Sequence, residues 1–525
     1  MSVSAEYRAA PHHTALGGDF FDAVAPADFP EQRLRYRNDR WAARVGLETL
    51  DDGNWLDHFA RFAPLPDNIE QPLSLRYHGH QFRSYNPDLG DGRGFLFAQL
   101  RDVADGRLLD LGTKGSGQTP WSRSGDGRLT LKGGVREVLA TAMLEALGVY
   151  TSKSFSLVET GEALTRGDEP SPTRSSVLVR LSHSHIRFGS FERQAHLQQA
   201  SNIQKLVDYS VEHYFPALNE GSGALEIAGS KTASFLRRVV EVSADLAASW
   251  MVAGFVHGVL NTDNLNITGE SFDYGPYRFL KTFDPNFTAA YFDSGGLYAY
   301  GRQPEAVSWN LTRLAETLLS IEEKEPLVEA LETFNEVFNR AYCHRTLVRL
   351  GLRCGQEAAD EAPAELVNAV YQFLHDSHIG FDQFFFDWFA GEASAERASH
   401  SPEAEKYQGE SFVNLRRMFE RCEPIDREAL RHGYFERERP CTLLIEEIES
   451  IWDAVAQNDD WSPFEAKLRE IPFVTARVRR LAVTGHWNST RSPRSGRGLI
   501  WVSRAGGLLR FALPRGSRQA AERRA

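Results

Sequence analysis

The side chains best suited to chemistry lie in one short stretch, residues 255–275, which reads FVHGVLNTDNLNITGESFDYG. Asn264 offers an amide oxygen and Asp273 a carboxylate oxygen. Because Mg²⁺ prefers hard oxygen ligands and retains several waters, one carboxylate and one amide are a sufficient protein contribution. The stretch therefore predicts a magnesium–nucleotide site. A polar hairpin loop is the alternative, since Asn, Asp, Thr and Gly are also common turn residues.

The same residue types serve protein kinases, in which an Asn after the catalytic loop and the Asp of a D-F-G turn hold Mg²⁺ at the ATP phosphates. The kinase catalytic Asp would fall two residues after His257, but this chain has Val259 there. Val259 favours a silent nucleotide-binding scaffold. Asp263, which precedes the metal candidate Asn264, favours an enzyme with Asp263 as its base. We expect the enzyme, because a scaffold has little use for a second acid at that place.

Two glycine-rich loops and a lysine stand N-terminal to this stretch. Glycines let backbone N–H groups approach phosphate oxygens closely, and a lysine at the end of a strand can pair with phosphates as a point charge. A glycine-rich turn without a ligand and a solvent-exposed lysine are the alternatives. The first loop contains Gly90, Gly92 and Arg93, and Lys114 precedes the second loop, which contains Asp126 and Gly127.

A predicted helix, residues 134–147, follows the second loop and carries Glu137, 23 residues beyond Lys114. Its apolar residues form one stripe, and helical spacing places Glu137 roughly opposite that stripe. Periodicity alone therefore predicts a solvated Glu137. The comparison with kinases, in which a helix Glu orients the strand Lys, predicts instead that Glu137 faces the protein interior.

The order of predicted elements indicates an α+β fold. Strands and turns dominate from residue 73, and helical patterns dominate from about residue 201, with the clearest helix at 235–253. A chain of 525 residues exceeds what one hydrophobic core usually fills. We expect an N-terminal wrapping segment (1–72), a strand-rich small lobe (73–195), an enlarged helical lobe (196–483) and an Arg-rich, mostly disordered tail (484–525).

The net charge of −12 argues against a nucleic-acid partner, whose binding depends on a dominant basic surface. The sequence contains no apolar run long enough for a membrane helix and no N-terminal signal pattern. We expect a cytoplasmic protein, monomeric, with a small-molecule or protein partner.

The cysteines and the paired histidines are interpreted as structural residues. Cys343, Cys354, Cys422 and Cys441 are widely spaced, without a C-x-x-C, and this favours reduced buried thiols over a disulfide framework or a zinc site. No carboxylate or Cys stands at ligand spacing from the histidines, so we expect hydrogen-bonded side chains rather than zinc ligands. The histidines concerned are His78, His80, His183 and His185.

Taken together, these motifs resemble selenoprotein O, a bacterial and mitochondrial family of pseudokinases. The matching strings lie in order between about residues 76 and 285: YHGHQF, NPDLGDGR, KGSGQTPWSRSGDGR, REVL, SHSHIRFGSF, GFVHGVLNTDNLNI and DYGPYRFLKTFDP. The resemblance implies a protein-kinase-like bilobal fold that binds ATP in an inverted pose. It further implies transfer of AMP to Ser, Thr or Tyr hydroxyls of protein substrates, with Mg²⁺ or Mn²⁺.

The resemblance also implies roles for individual residues. Asn264 and Asp273 would bind the metal, Asp263 would act as the base, and Glu137 would orient Lys114. The residues that would contact the nucleotide are Gly90, Gly92, Arg93, Lys114, Asp126, Gly127, Arg180, Arg187 and Asp273.

The chain departs from the family in its cysteines. Many members carry a cysteine or selenocysteine in the tail and a cysteine soon after the D-P that follows D-Y-G, whereas residues 287–293 and the tail have none here. We therefore expect no redox control of that type. Arg93, Arg180 and Arg187 would hold the terminal phosphates as a leaving group, so we expect adenylyl transfer. An ordinary phosphotransferase and a silent scaffold are the alternatives.

Overall fold

The computed structural model describes residues 3–167, 169–219, 230–354 and 362–471, together with two strands near the C-terminus. The fifteen helices of these parts are α1 (Asp39–Arg44), α2 (Asp52–Phe59), α3 (Leu131–Ala146), α4 (Phe188–His196), α5 (Ala200–His213), α6 (Lys231–Ala253), α7 (Gln303–Leu318), α8 (Lys324–Glu332), α9 (Phe334–Leu350), α10 (Ala362–Ser377), α11 (Phe381–Asp387), α12 (Ala395–Ser399), α13 (Glu410–Phe419), α14 (Ile445–Asn458) and α15 (Ser462–Glu470).

The strands of the same parts are β1 (Phe21–Ala23), β2 (Arg33–Arg37), β3 (Leu73–Leu75), β4 (Gly79–Gln81), β5 (Ser84–Asn86), β6 (Leu96–Arg101), β7 (Leu108–Lys114), β8 (Leu129–Thr130), β9 (Lys153–Leu164), β10 (Thr173–Ser182), β11 (Phe255–Val256), β12 (Arg278–Phe279), β13 (Leu352–Cys354), β14 (Cys422–Pro424), β15 (Ile500–Val502) and β16 (Leu508–Arg510). This combination of a large sheet and many helices confirms the α+β prediction.

One antiparallel sheet dominates the N-terminal half, in the order β1-β3-β6-β7-β10-β9-β2, with β8 paired to β10. Both edge strands of this order, β1 and β2, come from the predicted wrapping segment. Side chains alternate between the two faces of a strand. In β10, Val177 and Val179 therefore pack with Trp55 of α2 on one face, while Leu178 packs with Val135 of α3 on the other.

The helices of the C-terminal half pack around α6, which contacts α7, α8 and α9. α6 begins after Ser230, whose side chain accepts a hydrogen bond from Ala233 N, and ends at Gly254, whose φ of 66° is the left-handed conformation of a helix C-cap. The helix is four residues longer at its N-terminus than the sequence pattern predicts, because the cap precedes the apolar stripe.

α14 and α15 return to the sheet. Asp459, at the end of α14, accepts hydrogen bonds from Arg174 of β10 at 2.7 Å and from Arg35 of β2 at 3.1 Å. The ring of Phe464 in α15 lies 6.4 Å from that of Tyr36. The C-terminal helices are therefore fixed to the strands that carry part of the site.

The prediction of four reduced cysteines is wrong for two of them. Cys354 and Cys422 form a disulfide across 68 residues, while Cys343 and Cys441 are free. β13 and β14 pair antiparallel with these two cysteines directly opposite each other. Sequence spacing could not reveal this register, because the intervening residues include four helices.

Most of the predicted tail, 484–525, lies outside the described residues, as does the end of the predicted helical lobe beyond residue 471. Within the tail, β15 and β16 form an antiparallel pair. Over the described part of the chain, no helix is long and apolar enough to cross a membrane.

Candidate active site

The turn that carries Asp263 and Asn264 follows directly from α6. The chain leaves the helix at Gly254, forms β11 and then a 3-10 turn at Thr262–Asn264. Asp263 and Asn264 are each only 8% exposed. The Asn264 amide nitrogen donates to Val259 O at 3.0 Å, which leaves the side-chain oxygen as the atom available to a cation.

Asp273 is the second predicted metal ligand, and its backbone φ of 63° is unusual for a residue with a side chain. Its Oδ1 accepts a hydrogen bond from Lys114 Nζ at 2.6 Å and lies 3.7 Å from a terminal nitrogen of Arg180. Burial alone would raise the pKa of Asp273. The positive charges of Lys114, Arg180, Arg187 and Arg93 outweigh burial and hold this pKa well below its usual value, so the carboxylate is charged.

Glu137 is 1% exposed and pairs with Lys114, so the solvated position that periodicity predicts is wrong and the kinase comparison is right. α3 packs on β9 and β10, and the helix face that carries Glu137 also carries Gly134 and Thr141, which lie against Leu157 and Ser154 of β9. Hydrophobic periodicity identifies a polar helix face, but it does not distinguish solvent from a buried ion pair. Lys114 therefore lies between two carboxylates, one on α3 and one at Asp273.

Arg180 in β10 and Arg187 at the start of α4 converge on this cluster, and each is 5% exposed. Arg187 donates to the backbone oxygen of Asp263 at 3.0 Å and to Asp91 Oδ1 at 3.3 Å. Nε and one terminal nitrogen of Arg180, and Nε of Arg187, are buried without a hydrogen-bond partner in the described chain. Such donors are suited to an anion, because guanidinium groups match phosphate oxygens geometrically.

The two glycine-rich loops pack against each other. A Cβ at Gly90 would lie 2.4 Å from Trp121 Cγ, and one at Gly92 would lie 2.8 Å from Trp121 O. Gly127 has a φ of 70°, and a Cβ there would lie 2.2 Å from the carbonyl carbon of Gly117. Gly90 and Gly92 are therefore required for the contact between the loops, and Gly127 for the close approach of the two ends of the second loop, whatever else they bind.

Two predicted nucleotide contacts lie towards solvent. Asp126 is paired with Arg166 at 2.8 Å and its side chain is 48% exposed, so the structure does not join it to the buried cluster. Arg93 is exposed, but it lies close enough to act electrostatically on Asp273.

Asp263 combines a buried side chain with a carboxylate oxygen that is unpaired in the described chain. Its Oδ1 is buried without a hydrogen-bond partner among the described residues. Burial raises the pKa of Asp263 to about 7, although Arg187 opposes the shift. A carboxyl group with a pKa near the working pH is suited to general-base catalysis.

The donor set fits a hard cation. Asn264 and Asp273 offer two oxygens, and Mg²⁺ or Mn²⁺ would complete its shell with waters and phosphates. Nowhere in the described ranges, this site included, does a group of three or more His, Cys, Asp or Glu side chains stand where it could hold a metal ion.

Comparison with known proteins gives the family. The model of the family described as protein adenylyltransferase SelO matches residues 3–472. The chain belongs to this family. A protein nucleotidyltransferase YdiU from Synechocystis sp. is 45% identical over 471 residues, which cover 88% of this chain and 97% of the relative. Another from Gloeobacter violaceus is 46% identical over 467 residues, with 86% and 92% covered. Family membership confirms the resemblance inferred from the motifs.

Two residues beside the candidate site were not predicted from the sequence. Asp91 binds Arg187 and also accepts from Leu75 N at 3.2 Å. Glu192 of α4 accepts from Thr262 Oγ1 at 2.6 Å, and its other oxygen lies 2.6 Å from His80 Nδ1. Asp91 lies inside the matched string NPDLGDGR, but only the glycines and the arginine of that string were predicted to contact the nucleotide. Glu192 comes directly after the matched string SHSHIRFGSF.

The four histidines are hydrogen-bonded, as predicted. His78 bonds to Tyr85, His80 to Glu192, His183 to Tyr150 and His185 to Asp110.

Proposed function

We propose that this protein transfers AMP from ATP to Ser, Thr or Tyr hydroxyls of protein substrates, using Mg²⁺ or Mn²⁺, and that ATP binds in an inverted pose. The observation that carries this proposal is the pair Arg180 and Arg187, whose buried N–H groups include donors without a partner in the described chain. Burying unsatisfied cationic donors is costly unless an anion joins them. The terminal phosphates of ATP supply that anion on the sheet side of the site.

Each residue then has a defined part in the transfer. Asp263 accepts the proton of the attacking hydroxyl, whose oxygen bonds to the α-phosphorus. The bond from that phosphorus to the bridging oxygen of the β-phosphate breaks, and pyrophosphate leaves. Lys114, Arg180 and Arg187 stabilise the negative charge of the leaving pyrophosphate. The cation held by Asn264 and Asp273 would supply further neutralisation of phosphate charge.

Two alternatives are tested by the position of the label on ATP. An ordinary kinase has a base at the position that Val259 occupies here, and a scaffold transfers nothing. ATP labelled at the α-phosphate should mark protein substrates, with a mass gain of one AMP, and Asp263→Asn should abolish the label. Label transferred from the γ-phosphate would indicate an ordinary kinase. No label from either position would indicate a catalytically silent scaffold.

The metal assignment is tested by calorimetry with Asp273→Ala. Loss of this carboxylate removes a metal ligand and also removes negative charge beside the phosphates. We expect the metal dependence of ATP affinity to disappear, while binding of metal-free ATP persists. Asp376→Ala, which removes a half-exposed carboxylate on α10, is the matched control. An unchanged metal dependence in Asp273→Ala would exclude Asp273 as a ligand.

We further infer a protein-kinase-like bilobal fold with a small lobe at 73–195 and a large lobe at 196–483, preceded by the wrapping segment 1–72. Support comes from the pairing of strand residue Lys114 with helix residue Glu137 beside Asp273, which is the kinase arrangement. We expect truncation before residue 484 to leave the melting temperature and ATP binding almost unchanged. A large loss of either would show that the tail contributes to the stability or to the ATP binding of the folded protein.

A further inference from the structure

We propose that Phe82, Tyr291 and Phe292 form a docking surface for an apolar side chain of the protein substrate, close to the acceptor hydroxyl. This inference rests on the proposed function. In the described chain, the large hydrophobic residues that are exposed include only three aromatic ones, and these are Phe82 (38%), Tyr291 (87%) and Phe292 (49%). We call these three residues the aromatic surface.

The three rings lie together, although they come from two distant segments. The Phe82 and Phe292 ring centroids are 5.9 Å apart, and those of Tyr291 and Phe292 are 5.1 Å apart. The other exposed large hydrophobic residues are aliphatic: Val103, Leu197, Leu319, Val328 and Val413. Exposed contiguous aromatic groups are typical of interaction sites, whereas single exposed apolar residues need no explanation.

The aromatic surface is joined to the turn that carries the candidate base. Phe82 N donates to Asn261 Oδ1 at 3.1 Å, and Tyr298 OH donates to the same oxygen at 2.8 Å. Two residues before Phe82, within β4, His80 N donates to Thr262 Oγ1 at 2.7 Å. Asn261 and Thr262 immediately precede Asp263, so the hairpin of β4 and β5 is fixed beside the base.

The backbone of Phe82 gives an independent reason to assign its ring a function. β4 and β5 are joined by the two residues Phe82 and Arg83, whose φ angles are 49° and 65°. Two-residue turns of this kind favour Asn-Gly, because both positions have positive φ. A bulky residue in that conformation is strained, and such strain is concentrated at functional sites. The Phe82 ring packs on Tyr298, with 5.0 Å between centroids, yet Phe82 stays 38% exposed, and the exposed part of the ring points to a use outside the fold.

The charges at the edge of the aromatic surface decide the chemistry of its partner. Arg83 and Arg302 both pair with Glu305, at 3.0 Å and 3.3 Å. Because two arginines share one carboxylate, this edge keeps a net positive charge and disfavours a cationic side chain beside the apolar one. The partner is therefore an extended segment of a protein substrate with an aromatic or aliphatic side chain a few residues from its hydroxyl.

The direction of approach agrees with this assignment. Arg187 contacts Asp263 from the side where the proposed function places the phosphates. On another side, a Cβ at Gly79 would lie 3.0 Å from Asp263 Oδ1, so the β4–β5 hairpin borders the carboxylate closely. The acceptor hydroxyl then reaches Asp263 across the hairpin edge, next to Phe82.

The test uses synthetic peptides with a central Tyr or Thr, in which each flanking position is varied among Phe, Leu, Glu and Lys, and ATP labelled at the α-phosphate. We expect the wild-type protein to prefer Phe or Leu at one or two fixed positions. Phe82→Asn and Phe292→Ala should lose that preference and raise the peptide KM roughly tenfold, as truncation of an interface hot spot does. The KM for ATP should not change.

The variants separate docking from folding. Asn suits the turn better than Phe, so Phe82→Asn should keep or raise the melting temperature. Tyr291→Phe should retain transfer, because it keeps the ring and removes only the hydroxyl. Val413→Ala, 40% exposed on α13, is the control and should behave as wild type.

Three outcomes would overturn the proposal. Wild-type transfer without side-chain preference, or an unchanged peptide KM in both Phe82→Asn and Phe292→Ala, would refute the aromatic surface while the proposed function stood. A lower melting temperature in Phe82→Asn, together with a normal KM in Phe292→Ala, would make the Phe82 ring structural. Absence of any α-label on peptides and on lysate proteins would refute the proposed function and, with it, this inference.

Discussion

Glu137→Gln tests the buried ion pair of Glu137 with Lys114, where the periodicity of the sequence predicts a solvated Glu137. The change keeps the shape of the side chain but removes its negative charge beside Lys114. Removing one partner of a buried ion pair typically costs about 3–5 kcal/mol, because the remaining charge is left uncompensated. Here Lys114 keeps Asp273 at 2.6 Å. We therefore expect a smaller loss, roughly 1–3 kcal/mol of folding free energy.

The same change should weaken the metal site. With Glu137 neutral, the remaining anionic partner of Lys114 in the described structure is Asp273, whose carboxylate is also the proposed metal ligand. The ammonium group then competes more strongly with the cation for that carboxylate. Loss of a group that orients a metal ligand commonly lowers metal affinity about 10–100-fold. We expect a fall in this range in the Mg²⁺ affinity measured with ATP present.

Thermal unfolding and titration calorimetry check the two effects separately. Glu316→Gln is the control, because it breaks an ion pair with Arg313 on α7 in which Glu316 is 49% exposed. Pairs of this kind contribute about 0–1 kcal/mol. A Glu137→Gln protein with unchanged melting temperature and unchanged metal affinity would refute the reasoning, since Lys114 would then not depend on Glu137.

Three further predictions concern the surroundings of the site. Arg136→Ala should raise the metal concentration needed for half-maximal activity, because Arg136 donates to Tyr277 O at 3.4 Å, just beyond Asp273. Arg136→Lys should rescue this effect in part. An unchanged metal requirement would exclude a role for Arg136 in holding the Asp273 segment. Asp459→Asn, which weakens the contact to Arg174, should cost at most about 1 kcal/mol and should cost less at high salt, since Asp459 is 49% exposed. His183 has its pKa lowered to about 3 by burial. The unfolded chain therefore takes up a proton that the native protein does not, and stability falls as pH drops from about 6.5 towards 3, by up to about 1.4 kcal/mol per pH unit. His183→Gln should flatten the acid side of a plot of melting temperature against pH, and an unaltered plot would contradict this assignment.

Residue type and spacing sufficed to select Asp273 as a candidate site residue, but not to predict its pairing with Lys114. Asn264 and Asp273 were chosen because they follow one helix within a short stretch, and the structure brings Asp273 to Lys114. Glu137 required the kinase comparison, since its polar helix face is indistinguishable in sequence from a solvated one. Asp126 shows the converse. It shares a glycine-rich loop with buried residues, yet its carboxylate pairs with Arg166 towards solvent.

Long-range register is what the sequence could not supply. Arg180 ends near the cluster because β10 pairs with β7 so that Arg180 lies opposite Gly112, two residues before Lys114. The disulfide likewise depends on the pairing of β13 with β14. Such pairings are fixed by tertiary packing, and a shift of one residue would turn each side chain to the other face. Spacing along the chain therefore predicted neither contact.

The distribution of charge within the site favours adenylyl over phosphoryl transfer. The charge of Lys114 is balanced by Glu137 and Asp273, whereas Arg180 and Arg187 retain N–H groups without a partner in the described chain. The buried N–H donors still available to a ligand therefore lie on the two arginines. Arg187 also contacts the backbone of the residue that carries the base. If the terminal phosphates bind at these arginines, as proposed, the α-phosphate is the group that would face Asp263, and the leaving group would be pyrophosphate. A γ-phosphoryl group held by both guanidinium groups would instead be retained on the side away from the acceptor.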